Sequence, residues 1–261
     1  MIDPYSKITT IDMWSDPYIS KQMLKHHLSF DNYIASRRYQ TIKKTVEFIH
    51  SYIAPRQRLC DFGCGPGLYT NVLQQKGHRV YGVDISTTSL DYAKSHNKHV
   101  TYKQLNYITD TLNQPLDVAM MIWCDFGAMA PEARSQFLRN LHQTLVPGGL
   151  FFFDVFSEKR FQTLEESYTS KEEIDGFFME GPVSIESRMV LYPELGLSLS
   201  YDKAVGQKII ELFNWDKHYT IEELEILLHD YNFELVDYFS DTTGQTDFTD
   251  NELYFVVAKR I

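Results

Sequence analysis

Apolar positions in the first fifty residues fall at helical spacing. Asp16 followed by Pro17 marks a helix start, with Ile19, Met23 and Leu28 on roughly one face. From Ser36 to Tyr52, Ile42, Val46, Ile49 and Ile53 stand at i, i+4, i+7 and i+11, which predicts a second helix. Beyond Arg58 the period shortens. Leu59 to Phe62, His78 to Ile85 and Val100 to Leu105 read as short strands, separated by helical stretches through Lys76 and from Ser86 to about Ser95. Leu116 to Trp123 is almost continuously apolar, as in a parallel strand covered on both faces. Pro131 opens a helix with Phe137, Leu138, Leu141 and Leu145 on one stripe; Pro147-Gly148-Gly149 closes it, and Leu150 to Phe156 is the next strand. Strands and helices alternating at this spacing predict a parallel sheet with right-handed crossovers.

The last hundred residues carry a different pattern. Val183 to Tyr192, Leu197 to Ala204 and Gln207 to Trp215, divided by Pro193-Glu194, Gly196 and Gly206, read as an antiparallel meander. Thr220-Ile221-Glu222-Glu223 has capping-box spacing for a helix to about Tyr231, and Phe233 to Ser240 and Leu253 to Ala258 finish the chain as strands. The expected architecture is a doubly wound, seven-stranded, mostly parallel α/β sheet with its final pair antiparallel. Residues 36–156 and 220–261 form this core, residues 1–35 an N-terminal helical lid, and residues 157–219 an inserted antiparallel β cover at the carboxyl edge of the sheet, where ligands bind in such folds.

Composition narrows the function. Of 261 residues, 43% are hydrophobic and 23% charged, as in an ordinary globular chain. A net charge of −10 argues against the nucleic-acid backbone as partner, since phosphate binding needs a positive footprint. Three cysteines, an odd and small number, suit a reducing compartment. No start resembling a signal peptide and no run of roughly 18 apolar residues is present, so the expectation is a cytoplasmic protein away from membranes, a monomer or homodimer. The aromatic share is high at 14%, with 17 Tyr, 17 Phe and 3 Trp.

The most informative segment is Leu59-Cys60-Asp61-Phe62-Gly63-Cys64-Gly65-Pro66-Gly67, a glycine turn joining a strand to a helix. Such a turn lets backbone approach a ligand and aims free helix N–H groups at it. The dinucleotide fingerprint needs Gly or Ala at the fifth residue after its first glycine; Leu68 or Thr70 stands there, and no Gly-Lys-Ser/Thr of a P-loop follows. The loop, with an acidic residue two places before its first glycine, resembles that of class I S-adenosylmethionine-dependent methyltransferases. Asp84, 21 residues after Gly63, falls where that family accepts hydrogen bonds from both ribose hydroxyls. Asn106 stands where the family usually has an Asp on the adenine amino group, and Leu145-Val146-Pro147-Gly148-Gly149 resembles its turn into the fifth strand. The resemblance covers about Arg58 to Phe156. It implies a cofactor site of Asp61, Gly63, Gly65, Gly67, Asp84, Ile85, Leu105, Asn106 and Trp123, holding S-adenosylmethionine and, after reaction, S-adenosylhomocysteine, with no metal. On its chemistry alone Asp84 would serve a NAD ribose equally well, and Cys60 and Cys64 read as buried inert thiols.

Ser36-Arg37 opens the helix before the sheet, 24 residues ahead of Asp61, and is similar to small-molecule N-methyltransferases related to glycine N-methyltransferase. There an arginine pairs with the methionine carboxylate; Arg37 is the candidate and Arg38 its register-shifted alternative. Trp14, Tyr18 and Tyr33 would join the lid. The meander resembles that group's cover over the acceptor, with Phe177, Phe178, Tyr192, Tyr201, Phe213, Trp215, His218 and Tyr219 including its walls. Past the fourth strand, Trp123-Cys124-Asp125-Phe126 lacks the Asn/Asp-Pro-Pro-Tyr/Phe signature of enzymes that methylate nucleic-acid amino groups. The expected reaction is in-line methyl transfer to a nitrogen, with oxygen second, of a small-molecule acceptor. Asp125 and His218 are the catalytic candidates, the latter as a base near neutral pH. An RNA or protein methyltransferase and a non-catalytic cofactor-binding protein are the alternatives.

Overall fold

Strands apolar on both faces must be covered on both, and the central sheet is. A computed structural model describes residues 2–7, 9, 13–29 and 35–261. Helices α1 (Ile19–His27) and α2 (Tyr39–Tyr52) lead into β1 (Arg58–Phe62), α3 (Leu68–Gln75), β2 (Arg79–Asp84), α4 (Thr87–His96), β3 (Thr101–Gln104) and β4 (Leu116–Met121). The short α5 (Asp125–Ala128), α6 (Pro131–Thr144) and β5 (Leu145–Phe156) complete the parallel part. After the inserted region come α8 (Ile221–Asp230), β10 (Phe233–Phe239) and β11 (Leu253–Arg260), giving the order β10-β11-β5-β4-β1-β2-β3. β11 runs antiparallel to both β5 and β10.

Phe151, Phe152 and Phe153, all fully buried, show how β5 is sandwiched. Phe151 and Phe153 pack with Phe126 of α5, Phe137 of α6 and Leu224 of α8, whereas Phe152 packs with Ile42, Val46 and Ile49 of α2. Each such side chain contributes roughly 1.5–3 kcal/mol of burial. Strand order reverses between β1 and β4, which opens a crevice at their carboxyl ends.

The insertion contains α7 (Glu158–Thr163) and a second, antiparallel sheet of β6 (Ser167–Ile174), β7 (Pro182–Tyr192), β8 (Leu197–Val205) and β9 (Ile209–Lys217). Sequence reading found only three of these strands. β6 is an edge strand, exposed along nearly its whole length, so Ser167-Tyr168-Thr169-Ser170-Lys171-Glu172-Glu173-Ile174 has no core side to impose alternation. The N-terminal residues hold this sheet from both sides. Ile19 and Met23 pack on Val183, Ile185, Ala204, Ile210 and Leu212, while Ile2 and Tyr5 pack on Tyr192, Leu197, Leu199 and Trp215 across the opposite face. Asp16 caps α1 through one oxygen that accepts from Tyr18 N and Ile19 N, each at 2.9 Å. The Tyr18 hydroxyl donates to Gly176 O at 2.8 Å, tying that segment to the second sheet. Tyr33 lies outside the described residues. Among those described, no helix is long and apolar enough to cross a membrane.

Candidate active site

The turn after β1 is built for glycine. Gly63 has φ +80°, and a Cβ there would stand 2.8 Å from Asp125 Oδ2. Gly63 N and Cys64 N donate to Val83 O at 2.9 and 3.0 Å, and Gly65 N donates to Asp84 Oδ2 at 2.7 Å. Asp84 Oδ1 accepts from Ser86 N at 2.8 Å, so one carboxylate fixes the glycine turn and the start of α4 together.

These groups border a cleft of about 600 Å³, within the usual range for small-molecule sites. Arg37, Asp61, Gly63, Gly65, Asp84, Ile85, Trp123 and Asp125 all line it. Gly67, Leu105, Asn106 and His218 do not. Gly67 is the N-cap of α3, Leu105 packs into the core, and Asn106 closes a local turn, its side-chain oxygen accepting from Ile108 N at 3.0 Å. The neighbours Tyr107 and Ile108 reach the cleft instead.

His218 must be reassigned. It is 2% exposed, with Nε2 paired to Ser198 Oγ at 3.0 Å and Nδ1 facing Ser157 O at 3.3 Å, at the junction of the two sheets. Burial pushes its pKa down to about 4, so it is a neutral structural imidazole. A depressed folded pKa contributes stability above the unfolded value of about 6.5, and this is lost as pH falls from there towards 4. His218→Gln should therefore give a stability curve flatter by up to about 3 kcal/mol across that window. Its rate in the methyl transfer expected from the sequence should, at pH 8, stay within about threefold of wild type; thermal melts and initial rates check both.

The aromatic walls expected from the insertion also lie elsewhere. None of its eight candidates lines the cleft, because Phe213 and Trp215 alternate with Asn214, and it is Asn214 that faces inward. Aromatic lining comes from Trp14, Tyr69, Tyr107 and Trp123.

The cleft is acidic. Burial, and then Asp84, pushes the Asp61 carboxyl up to about 8. Burial, followed by Asp84, Asp154, Asp61 and Asp216, lifts that of Asp125 well above the usual carboxylate range. Asp216 on β9 is raised to about 6, again by burial. Among the described lining residues one cation opposes them. Arg37 Nη2 pairs with Asp154 Oδ2 at 2.5 Å; burial is the largest influence and works against its charge, but Asp154, Tyr69 and Cys124 together outweigh it and the pKa is raised.

Tyr69 and His27 are among the lining residues that escaped the sequence reading. The Tyr69 hydroxyl and Arg37 Nη1 are both buried without a well-formed hydrogen bond, although the two side chains lie close enough for the guanidinium to act on the hydroxyl as a charge and as a donor. Buried unpaired donors cost about 1–3 kcal/mol each, and one carboxylate accepting from both would remove that cost. His27, whose Nδ1 pairs with Ser36 Oγ at 2.9 Å, faces Gly65 with its pKa pushed down to about 4 by burial and then by His26. It closes α1, whose last turn holds Lys25, His26 and His27.

The profile of a family described as a methyltransferase domain matches residues 59–149. The N-demethylindolmycin N-methyltransferase of Streptomyces griseus is 30% identical over 100 residues, 35% of this chain and 41% of that protein. The ubiquinone biosynthesis O-methyltransferase of Idiomarina loihiensis is 25% identical over 105 residues, covering 39% and 43%. This chain spans about half the length of the curated relatives it matches, from 41% to 61%. Among solved structures, the CcbJ methyltransferase of Streptomyces caelestis superposes with a TM-score of 0.71 at 15% identity over 93% of this chain and 98% of that one. The sugar N-methyltransferase KedS8 of a Streptoalloteichus species gives 0.62 at 15% identity over 100% and 99%. The family match beginning in β1 identifies residues 59–149 as similar to a methyltransferase domain, and the strand order around the glycine turn with the full-length likeness of fold gives the chain the class I methyltransferase fold.

Proposed function

We propose that the protein transfers a methyl group to the amine nitrogen of a small molecule. The observation that carries this reading is Arg37, the one cation among the described lining residues, with a buried N–H beside the Tyr69 hydroxyl, in a cleft whose other described charged groups are carboxyls. S-Adenosylmethionine supplies an activated, cationic sulfonium methyl. Arg37 and Tyr69 would hold its carboxylate, Asp84 its ribose hydroxyls, Gly63 and Gly65 the backbone approach, and Ile85 with Ile108 an apolar wall for the base. Residues 1–35 and 157–219 would enclose this site as lid and cover. Asp125, across the turn from Gly63, would when ionised accept the acceptor's ammonium proton, and burial with the neighbouring carboxylates makes it a stronger base than an ordinary carboxylate. Once ionised, the carboxyls of the cleft would draw a cationic amine more strongly than a neutral alcohol. Relatives named as N-methyltransferases and as O-methyltransferases both occur, so nitrogen rests on the carboxyls of the cleft.

Calorimetry with S-adenosylmethionine, S-adenosylhomocysteine and NAD tests the first half of the proposal, since binding of NAD alone would sink it. A panel of primary and secondary amines, including amino sugars, followed by S-adenosylhomocysteine release, tests the second. The two sulfur ligands differ by the sulfonium methyl, so their pH dependence should differ as well. A cation binds better once Asp61 has ionised, so affinity for S-adenosylmethionine should rise from pH 6 to 8, by up to tenfold per unit, with proton release. S-Adenosylhomocysteine should respond less, and equal slopes would take Asp61 out of sulfonium recognition.

A further inference from the structure

Trp123 and Cys124 follow β4 with φ of +104° and +62°, a strained region that residues other than Gly rarely occupy. Two consecutive residues keep such a conformation only where surrounding contacts impose it. Both N–H groups donate to one atom, Asp154 Oδ1, each at 2.9 Å. The other oxygen of the same fully buried carboxylate takes Arg37 Nη2 at 2.5 Å. The next residue after this turn is Asp125, the first of α5. Arg37 also lies over the Trp123 ring, 5.3 Å from its centroid, so turn and guanidinium touch directly.

We propose that Asp154 is a positioning residue joining the two halves of the site. One oxygen locks Arg37 so that its remaining N–H groups face the carboxylate subsite. The second clamps the strained turn that sets Asp125 over Gly63. Asp154 meets neither cofactor nor acceptor; it acts through Arg37 and through the backbone of Trp123 and Cys124. The proposal rests on Arg37 recognising the carboxylate of the methionine moiety, and its test separates the two claims.

Asp154→Asn keeps the shape and one acceptor but loses the charge that holds Arg37. Affinity is measured by calorimetry for S-adenosylhomocysteine and for methylthioadenosine, which lacks the amino-acid part. Expected is a loss of at least tenfold for the former and less than threefold for the latter. Equal losses would mean a merely structural collapse and would overturn the proposal, as would no loss for either. Because an uncompensated buried Arg37 can unfold the single variant, Arg37→Met and Arg37→Met/Asp154→Asn are compared too, since neither leaves that cation in place. Their S-adenosylhomocysteine affinities should agree within about twofold, whereas a further tenfold loss in the double variant would show that Asp154 does not act through Arg37. The clamp has its own measurement. Cys124→Gly relieves one strained position, so Asp154→Asn introduced into Arg37→Met should lower the melting temperature less when Cys124→Gly is present, and an equal drop would remove the clamp. If Arg37→Met leaves S-adenosylhomocysteine affinity unchanged from wild type, the underlying reading of Arg37 fails instead.

Discussion

Asp125→Asn should lower kcat by two to three orders of magnitude while changing S-adenosylhomocysteine affinity by no more than about threefold. General base catalysis by a positioned side chain contributes about 10²–10⁴-fold, and an amide of the same shape cannot take a proton. Asp125 is suited to that work by its position and by its charge environment. It is carried on the N-terminal residue of α5, and its Oδ2 lies 2.8 Å from where a Gly63 Cβ would be, so it reaches the space that the glycine turn leaves open. Its pKa is lifted first by burial and then by Asp84, Asp154, Asp61 and Asp216. The base works when ionised, so a raised pKa moves the acidic limb of the kcat/KM profile to higher pH than an ordinary carboxylate would give. In the Asn variant that limb should vanish, leaving a low rate without it. Initial rates from pH 5 to 9 decide the matter: a variant retaining a tenth of wild-type kcat with the limb intact would show that Asp125 is not the base.

Local features of the site were legible in the sequence, whereas features assembled from distant segments were not. The glycine turn and Asp84 could be read because a strand, a turn and the end of the next strand fix their spacing within about twenty residues. Asn106 was found by the same distance argument, yet it serves a turn, because Asn readily bonds its own backbone two residues on. Asp154 sits in an apolar run, and its partner Arg37 is 117 residues away. The acidic character of the cleft has the same origin, since Asp61, Asp84, Asp125 and Asp216 come from four separate segments that only the fold brings together. His218 failed as a base for a related reason. Ser157 and Ser198, from different elements, bury it, and no local pattern announces them. The aromatic excess divides differently from expectation. Phe126, Phe137, Phe151 and Phe153 form one core stack, and Tyr192 and Trp215 face the N-terminal segment.

Asp84→Ala should weaken S-adenosylhomocysteine binding by roughly 1–3 kcal/mol, a factor of about 5 to 150, by two additive routes. The first is direct, through loss of the acceptor for the ribose hydroxyls. The second runs through the backbone: Gly65 N and Ser86 N, held by the two carboxylate oxygens at 2.7 and 2.8 Å, lose their partner, so the glycine turn is no longer preformed. A ligand lacking the ribose hydroxyls separates them. The 2′,3′-dideoxy analogue should bind wild type more weakly than S-adenosylhomocysteine does, and that difference should nearly disappear in the Ala variant, leaving only the backbone part. An undiminished difference would place the ribose elsewhere. A further consequence distinguishes this residue from a simple loop anchor. Asp84 is among the causes that raise both Asp61 and Asp125, ranking directly after burial in each. Removing its charge therefore lets both carboxyls ionise at lower pH, and the acidic limb of kcat/KM should move down in pH even as the rate at saturating acceptor falls. A mere loosening of the turn lowers the rate at every pH and leaves the limb where it was.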